Sequence, residues 1–323
     1  LQQPTIASKK MFTETYDSQV RTSTVVGPGS DAGVIRIRGT KKALAMTTDG
    51  NGRFIYLNPE VGGKMAVLEA ATNIISSGAL PLAITDCLNY GDPNDPEIYW
   101  ELHQSINGMA EACRTLDTPV ISGNVSLYNE NNGEAIYPTA MIGMVGLIKD
   151  VYRTVPSFVQ NVGDKLYLVG KTGNDFELQK LLNKKISGDL NDFDLEKVSS
   201  YLKNRLAAME QGLVSSSHDL SEGGLGVSLA EMVFGTDKGI KVSLDMKKEL
   251  LFSETPGRLV VSVSKDNVAA FEEIMGEDIT EIGEVQADHQ LDIALTDENF
   301  VAEVSELEKL WEEAIPCLMK SKD

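Results

Sequence analysis

The chain has 323 residues, 42% of them apolar, which predicts two domains with substantial cores. Its 29 basic and 48 acidic residues give a net charge of −19, which argues against nucleic acid as a partner because phosphate binding needs concentrated Lys and Arg. The three cysteines lack metal-type spacing and favour a reducing compartment. We find neither a signal peptide nor an apolar span of membrane length, and we expect a cytoplasmic protein with no membrane partner.

The chain starts at Leu1 rather than at Met, and a polar, extended stretch over Gln2–Thr24 precedes the first clear β pattern. Both features lead us to expect a piece of a longer polypeptide. A processed mature protein is the alternative, although no processing signal is visible.

We expect a first domain over residues 1–155. The helix from Pro96 is the best marked, because Asp95 is a suitable N-cap and Ile98, Leu102, Ile106, Met109 and Cys113 form one apolar stripe. His103 lies off this stripe, which favours a solvated side chain. The other predicted elements are strands over 33–38, 43–48 and 139–148, a turn over 49–52 and a helix over 64–77.

We expect a second domain over residues 156–323. Its predicted strands cover 165–170, 214–217, 259–263 and 291–295, and its predicted helices cover 176–184, 194–212, 223–234, 267–275 and a final segment carrying Trp311. Strands that alternate with helices predict an α/β layer structure for the whole chain.

The apolar run at Val120–Ile121 predicts a buried strand, and a loop is expected to follow it from Gly123. Ligands bind beyond the carboxyl ends of strands in open α/β sheets, so we expect this segment to approach a ligand. Gly123 removes a Cβ that would block a phosphate, Asn124 offers an oxygen suited to Mg²⁺, and Ser126 can bind a substrate oxyanion. An ordinary turn is the alternative reading. Asp86 ends a second apolar run in the same way.

Two further segments carry polar groups in apolar surroundings. Glu69 and Asn73 are four residues apart on a predicted helix, so they share a face and can bind one Mg²⁺. A helix with one acid and a solvated Asn is the alternative. The segment Ser217–Gly224 leads into a helix whose N-terminal amides can bind phosphate, with Asp219 and Glu222 holding cations. Here the alternative is a helix start capped by Ser221.

Taken in order, the segments 64–78, 82–93, 120–130 and 217–225 resemble the second half of the small-form phosphoribosylformylglycinamidine synthase family, within the aminoimidazole ribonucleotide synthetase superfamily. The resemblance covers essentially the whole chain. It implies an α/β (α+β) fold with a barrel-forming first domain and an α/β second domain. It also implies an ATP-dependent C–N ligase of purine biosynthesis, which converts formylglycinamide ribonucleotide and ammonia to the amidine with ADP and phosphate.

The resemblance further implies two sets of ligands. Asp86 and Gly123 would contact ATP, Asn124 would bind Mg²⁺, and Ser126 would contact formylglycinamide ribonucleotide. A separate, auxiliary nucleotide site would hold ATP or ADP with Mg²⁺ through residues in both predicted domains. The positions that match its ligands are Asp31, Glu69, Asn73 and Asp219.

The family's catalytic His lies in a Glu-Ser-His-Asn-His type segment of the first half. Neither His103, His218 nor His289 lies in such a segment, so we expect no catalytic residue here and no activity from the chain alone. The expected partners are an N-terminal half of the same polypeptide, a glutaminase that supplies ammonia, and small accessory subunits. Alone, the chain is expected to form a homodimer. The alternatives are a structural half whose nucleotide only stabilises the fold, or another synthetase of the superfamily.

Overall fold

A computed structural model describes residues 1–174, 190 and 193–320. The helix expected over 176–184 lies outside the described residues. The described helices are α1 Lys10–Thr13, α2 Gly52–Leu57, α3 Pro59–Ser76, α4 Pro96–Leu116, α5 Leu195–Glu210, α6 Gly224–Glu231, α7 Val268–Met275 and α8 Val304–Met319. Among these helices, none has the length and hydrophobicity that crossing a membrane would require.

The strands form two large sheets and one short hairpin. The first sheet contains β1 Thr24–Val26, β2 Gly33–Arg36, β3 Ala43–Asp49, β4 Leu80–Asn89, β5 Val120–Ser126 and β8 Thr139–Ile148, and the hairpin pairs β6 Glu130–Asn131 with β7 Glu134–Ala135. The second sheet contains β9 Lys165–Val169, β10 Ser216–Asp219, β11 Gly239–Ser243, β12 Leu259–Val263, β13 Ile279–Gln286, β14 Gln290–Ala294 and β15 Asn299–Glu303.

The first sheet has the strand order β1-β2-β3-β8-β4-β5, and helices cover one of its faces. Helix α3 packs against β3, β8 and β4, and α4 packs on α3. The other face carries apolar side chains that stay accessible: Met46 is 42% exposed and Met141 is 36% exposed. The sheet ends in two edge strands, β1 and β5, so it is open rather than a closed barrel in the described chain.

The second sheet has the order β10-β12-β9-β13-β11-β14-β15, and its strands β9 and β12 are buried on both faces. Strand β9 shows why, because Tyr167 and Val169 join one core whereas Leu166 and Leu168 join another. The first of these cores also contains the side chains of α3 and of the first sheet. A single hydrophobic core therefore runs from the first sheet through α3 to α5 and the second sheet.

The strands expected over 139–148 and 259–263 are confirmed to the residue, and Asp95 caps α4 by accepting a hydrogen bond from the amide of Glu97 at 2.9 Å. The apolar stripe expected on α4 is wrong in part, because Ile106 is 42% exposed. Small residues make the helix contact instead. A Cβ on Gly108 would lie 1.9 Å from the carbonyl oxygen of Glu60, so the backbones of α3 and α4 touch.

Strand β5 is not the buried strand that the sequence indicated. It is an exposed edge strand, and Ile121 is 69% exposed. Residues Gly123, Asn124 and Ser126 lie within the strand rather than in a loop, because the parallel pairing with β4 continues to Ser126 opposite Asn89. The chain turns only after Ser126. Residues 53–56, expected after a turn, lie in helix α2, which begins at Gly52 with Asn51 as its N-cap.

The contact between α3 and α4 gives a stability prediction. Gly108→Ala places a methyl group where the backbone of α3 lies, so we expect a loss of about 1–3 kcal/mol in the free energy of unfolding, measured by denaturant titration. Gly27→Ala is the control, since nothing lies within 4 Å of its Cβ position, and it should stay within about 0.5 kcal/mol of the parent. Equal stability of the two variants would contradict close helix packing.

Candidate functional site

Acidic side chains meet where the first sheet, helix α3 and strand β10 come together. Asp49 is the last residue of β3, Asp219 is the last residue of β10, and Asp31 lies in the connection before β2. Glu69 and Asn73 lie one turn apart on the face of α3 that points to them. The four auxiliary-site residues expected from the sequence are thus brought together from both halves of the fold.

His218 lies between two carboxylates beside this cluster. Its Nδ1 is 2.5 Å from Asp31 Oδ1, and its Nε2 is 3.0 Å from Glu231 Oε2. Burial alone would lower the pKa of His218, but Asp31 and Glu231 raise it well above its usual range. Both ring nitrogens therefore donate hydrogen bonds at neutral pH, and His218 cannot act as a metal ligand or as a base in that state.

The amide of Asn73 is oriented by Asp49. Asn73 Nδ2 donates to Asp49 Oδ2 at 2.8 Å, and the backbone amide of Gly50 donates to Asp49 Oδ1 at 2.6 Å. With its nitrogen used in this way, Asn73 presents its amide oxygen to the cleft that it lines. A neutral oxygen of this kind suits a hard cation.

The carboxyl groups of Glu69 and Asp219 are within hydrogen-bonding reach of each other. Burial, followed by Asp49 and Asp219, raises the pKa of Glu69 well above its usual range. Burial and Asp31 raise the pKa of Asp219 to about 7, although His218 opposes the shift, and burial raises the pKa of Asp49 to about 6. In the absence of a cation, the protein therefore holds protons among these acids.

Arg205 on α5 provides a buried positive charge behind the cluster. It is fully buried, and its NH2 donates to the Thr72 carbonyl at 3.3 Å and to Ser76 Oγ at 3.4 Å on α3. Burial lowers the pKa of Arg205 to about 9, against the raising effect of Asp31, so the guanidinium still carries its charge at neutral pH. It partly balances Asp31 and Asp219.

Two separate hollows border the acidic cluster. The larger is a cleft of about 1020 Å³, and Asp31, Asn73 and Asp219 line it. The smaller is a cavity of about 100 Å³ on the other side, and Glu69 lines it with Asp49. Oxygen donors with excess negative charge fit a divalent cation, and Asp31 and Asp219 have carboxylate oxygens within 4.8 Å of one another. The cleft has the size of a small-molecule site.

The glycine-rich turn before α6 differs from the sequence expectation. Gly223 and Gly224 have φ values of +89° and +57°, and a Cβ on Gly224 would lie 2.1 Å from the carbonyl oxygen of Ser253. Ser221 does not cap the helix, because Gly223 occupies the N-cap position. The amide of Gly223 donates to Glu254 Oε1 at 3.2 Å, so a carboxylate of this chain already takes one of the amides expected to bind phosphate.

The second expected set of residues lies at the open edge of the first sheet. Asp86 on β4 pairs with Gly123 on β5, and a Cβ on Gly123 would lie 1.9 Å from Asp86 Oδ1. Only glycine therefore leaves room for this carboxylate, whose pKa is raised by burial. Since neighbours along a strand alternate, Asn124 and Ser126 lie on the opposite face from Asp86.

The auxiliary residues and the residues of β4 and β5 are connected through one row of paired strand residues in the first sheet. Asp49 on β3 and Asp86 on β4 both pair with Ile142 on the intervening strand β8. Directly paired residues share a face, so both acids lie on the helix-covered face. Two strand spacings separate their backbones by about 10 Å. The structure thus gathers Asp31, Glu69, Asn73 and Asp219 in one place and divides the residues of β4 and β5 between two faces.

Sequence reasoning missed three charged residues at the acidic cluster or in the cavity beside it. Asp49 was assigned to a turn, Glu254 was not singled out, and Arg205 was overlooked within an apolar helix. A signal existed for Arg205, because it lies between Leu202 and Met209 on the buried stripe of α5. A charge at such a position needs a buried partner. For Glu254 the sequence offered no periodic pattern.

Comparison with known proteins identifies the fold. Residues 29–148 match the family described as AIR synthase related protein, N-terminal domain, and residues 161–296 match the corresponding C-terminal domain. The chain belongs to the AIR synthase related family. It is 65% identical over its whole length to the phosphoribosylformylglycinamidine synthase subunit PurL of Limosilactobacillus fermentum, and it spans 44% of that protein. The family resemblance and the two-domain α/β fold expected from the sequence are confirmed.

Solved structures of this family share the architecture. Thermotoga maritima PurL complexed with ATP has a TM-score of 0.57 and 26% identity, covering 84% of this chain and 40% of that chain. T. maritima PurL complexed with FGAR has a TM-score of 0.70 at 20% identity, which covers 92% of this chain and 50% of that one and shows the fold alone.

The shifted acids predict a pH dependence of stability. An acid with a raised folded-state pKa binds protons more tightly when folded, so its stabilising effect is complete below its unfolded pKa of about 4 and is lost as pH rises through its folded value. For Asp49 and Asp219, that loss extends through about pH 6 to 7. With a chelator present, the melting temperature should fall between pH 5 and pH 8.

Asp219→Asn should flatten this profile, because it removes one of the repelling carboxylates while it keeps an oxygen for hydrogen bonding. A change of 1 kcal/mol moves the melting temperature by about 2–4 °C in domains of 150–250 residues. Asp297→Asn, at an exposed position, is the control and should keep the parent slope. A melting temperature of the parent protein that does not change with pH would show that folding does not raise the pKa of these acids.

Proposed function

We propose that this chain supplies the second half of an ATP-dependent phosphoribosylformylglycinamidine synthase, a ligase of purine biosynthesis that acts in the cytoplasm. The observation that carries the proposal is the cleft of about 1020 Å³ whose wall presents Asp31, Asn73 and Asp219. Its size and donors suit a nucleotide with Mg²⁺. The 65% identity to a PurL subunit supports the same assignment.

In the cleft, Asp31 and Asp219 would bind Mg²⁺ with carboxylate oxygens, and Asn73 would bind it with its amide oxygen. Glu69 would hold the Asp219 carboxyl group in position for the ion, since its own carboxyl group hydrogen-bonds to that of Asp219. The protonated His218 holds Asp31 in place by donating a hydrogen bond to its Oδ1, and Arg205 adds positive charge nearby. The bound Mg²⁺ would neutralise the phosphates together with Lys9 and Lys10, which also line the cleft. This auxiliary nucleotide would stabilise the fold.

The edge formed by β4 and β5 would serve the catalytic site. Asp86 and Gly123 would contact ATP on one face, where the missing Cβ of Gly123 leaves room for the Asp86 carboxylate. Asn124 would bind Mg²⁺ and Ser126 would bind formylglycinamide ribonucleotide on the other face. Because β5 is an exposed edge strand, both faces are reachable by one ligand at this edge. The catalytic base would come from the other half of the synthase.

The proposed partners are the N-terminal half of a longer polypeptide, a glutaminase that supplies ammonia, and small accessory subunits. We also propose residues 1–155 and 156–323 as the two domains. A purely structural, nucleotide-binding half is the second candidate function. The auxiliary cluster favours it, since three of its four residues, Asp31, Asn73 and Asp219, line one cleft.

The open face of the first sheet predicts self-association of the isolated chain. Met46 and Met141 are exposed there, and Ile35, Leu44 and Val145 are half-buried beside them. A closed two-fold dimer would cover these side chains, as the other half would in a whole synthase. Sedimentation in moderate salt should show a dimer, and Met141→Asp should shift it to monomer. A monomeric parent at tens of micromolar protein would contradict this pairing.

Nucleotide binding predicts a thermal shift. ADP with Mg²⁺ should stabilise the protein by about 2.7 kcal/mol at one hundred times the dissociation constant, because a ligand of the folded state shifts the unfolding equilibrium. Asp31→Asn should weaken this effect, since it removes a charged ligand from the cleft. Asp297→Asn is the matched control at an exposed position. No shift of the parent at millimolar nucleotide would argue against an auxiliary site.

The β4–β5 edge predicts a catalytic defect without loss of stability. When the chain is combined with the other half, Asn124→Ala should lower the synthesis rate at least tenfold, because one magnesium ligand is lost. Its melting temperature should stay near that of the parent, since Asn124 is exposed on an edge strand. Ammonia-dependent turnover measures the rate. Normal turnover with a lower melting temperature would make Asn124 a structural residue.

A further inference from the structure

The turn that follows strand β5 has an unusual backbone. Tyr128 has a φ of +61°, a left-handed conformation that is unfavourable for residues other than glycine and persists only where its surroundings fix it. Here the amide of Tyr128 donates to the carbonyl oxygen of Gly91 at 2.9 Å, and the amide of Asn129 donates to that of Tyr90 at 3.1 Å. The chain after β5 is therefore tied to the chain after β4.

The side chain of Asn129 completes this connection. Its Nδ2 donates to the carbonyl oxygen of Ser126 at 2.9 Å and to that of Tyr90 at 3.1 Å. The Ser126 carbonyl oxygen also accepts from the backbone amide of Tyr90 at 3.0 Å. Hydrogen bonds therefore run in both directions between the ends of β4 and β5, and one side-chain amide uses both of its hydrogens for them.

Tyr90 anchors these hydrogen bonds in the core. It is fully buried, and its hydroxyl group lies 2.6 Å from Ser105 Oγ on α4. Ser105 is also fully buried, where the backbone of α4 touches Gly63 of α3. Asn129 therefore connects Ser126, on the exposed edge strand, to the packed contact between two helices.

The carboxyl end of β5 needs such a connection. Among the described strands, β5 pairs with β4 alone, and its residues are exposed from Val120 to Val125. A segment with few buried contacts opens locally at a low free energy. Ser126 is the last residue of β5 and the one proposed above to bind formylglycinamide ribonucleotide. Its position therefore depends on what holds the end of the strand.

We propose that Asn129 is a positioning residue, which holds Ser126 in place for the substrate through its two side-chain hydrogen bonds. This role rests on the proposed function, because it concerns the substrate contact of Ser126. Since two carbonyl oxygens face one side chain, that side chain must donate twice, as a neutral amide does. A carboxylate of the same shape has acceptors only, so it would repel both carbonyl oxygens.

Loss of this connection should affect one substrate more than the other. Asp86 and Gly123, which are proposed to contact ATP, pair three residues before Asn89 and Ser126 on the same two strands. At about 3.3 Å per residue, their pairing lies about 10 Å from the end of β5. A loosened strand end should therefore weaken the binding of formylglycinamide ribonucleotide more than that of ATP.

The test is Asn129→Asp in the whole synthase that contains this chain, with ammonia as the nitrogen source. We expect the KM for formylglycinamide ribonucleotide to rise at least tenfold and the KM for ATP to stay within about twofold. Hydrogen exchange measured by mass spectrometry reports on the strand end itself, and the peptides that contain Tyr90 and Tyr128 should exchange at least tenfold faster than in the parent. Asn107→Asp is the matched control, because the Asn107 side chain contacts only exposed groups on α4, and both measurements should keep their parent values.

The outcomes separate this role from the proposed function. A parent synthase without turnover would contradict the proposed function and the role of Asn129 with it. Faster exchange in Asn129→Asp with an unchanged KM for formylglycinamide ribonucleotide would overturn the positioning role alone. Equal exchange in Asn129→Asp and the parent would also overturn it, because the two hydrogen bonds would then not hold the strand end. So would an equal rise in both KM values, since a general loss of structure affects both substrates.

Discussion

The structure depends on the burial of several carboxylates at the contact between its two halves. Asp31, Glu69 and Asp219 lie in a region of low dielectric, where like charges repel strongly and water cannot screen them. Arg205 and the doubly bonded His218 supply positive charge on one side only. Folding of the isolated chain therefore traps protons in this region, and a bound cation would take their place. The same repulsion between carboxylates that destabilises the empty site would give it affinity for the proposed Mg²⁺.

Helix α3 makes this arrangement possible because it is buried on nearly every side. It packs on the first sheet with one face, on α4 with another and on α5 with a third. The contact with α4 needs glycine, since a Cβ on Gly63 would lie 2.2 Å from the Ser105 carbonyl oxygen. With its position set by these contacts, α3 can hold Glu69 and Asn73 rigidly against β3 and β10. A surface helix would let the same side chains move into water.

The two faces of the first sheet differ in how far they are buried. Helices cover the face that carries Asp49 and Asp86, whereas Met46 and Met141 on the other face are exposed among the described residues. The residues proposed for the catalytic site lie at the edge of this sheet, next to the uncovered face. A second sheet placed there would bury the apolar side chains and complete the ligand site in one step. Assembly and ligand binding would then be coupled through strand β5.

The sequence by itself determined the α/β class, the family and many of the elements, because apolar periodicity, caps and ordered motifs are local signals. The role of the four auxiliary residues stays a prediction. Tertiary structure alone decided that β5 is exposed, that Ile106 faces water, that Arg205 lies behind the acidic cluster, and that Glu254 accepts from the Gly223 amide. These features depend on which parts of the folded chain come into contact. Exposure of a strand is set by its neighbours in the sheet, and the partner of a buried charge lies far away along the chain: Arg205 meets Thr72 across 133 positions.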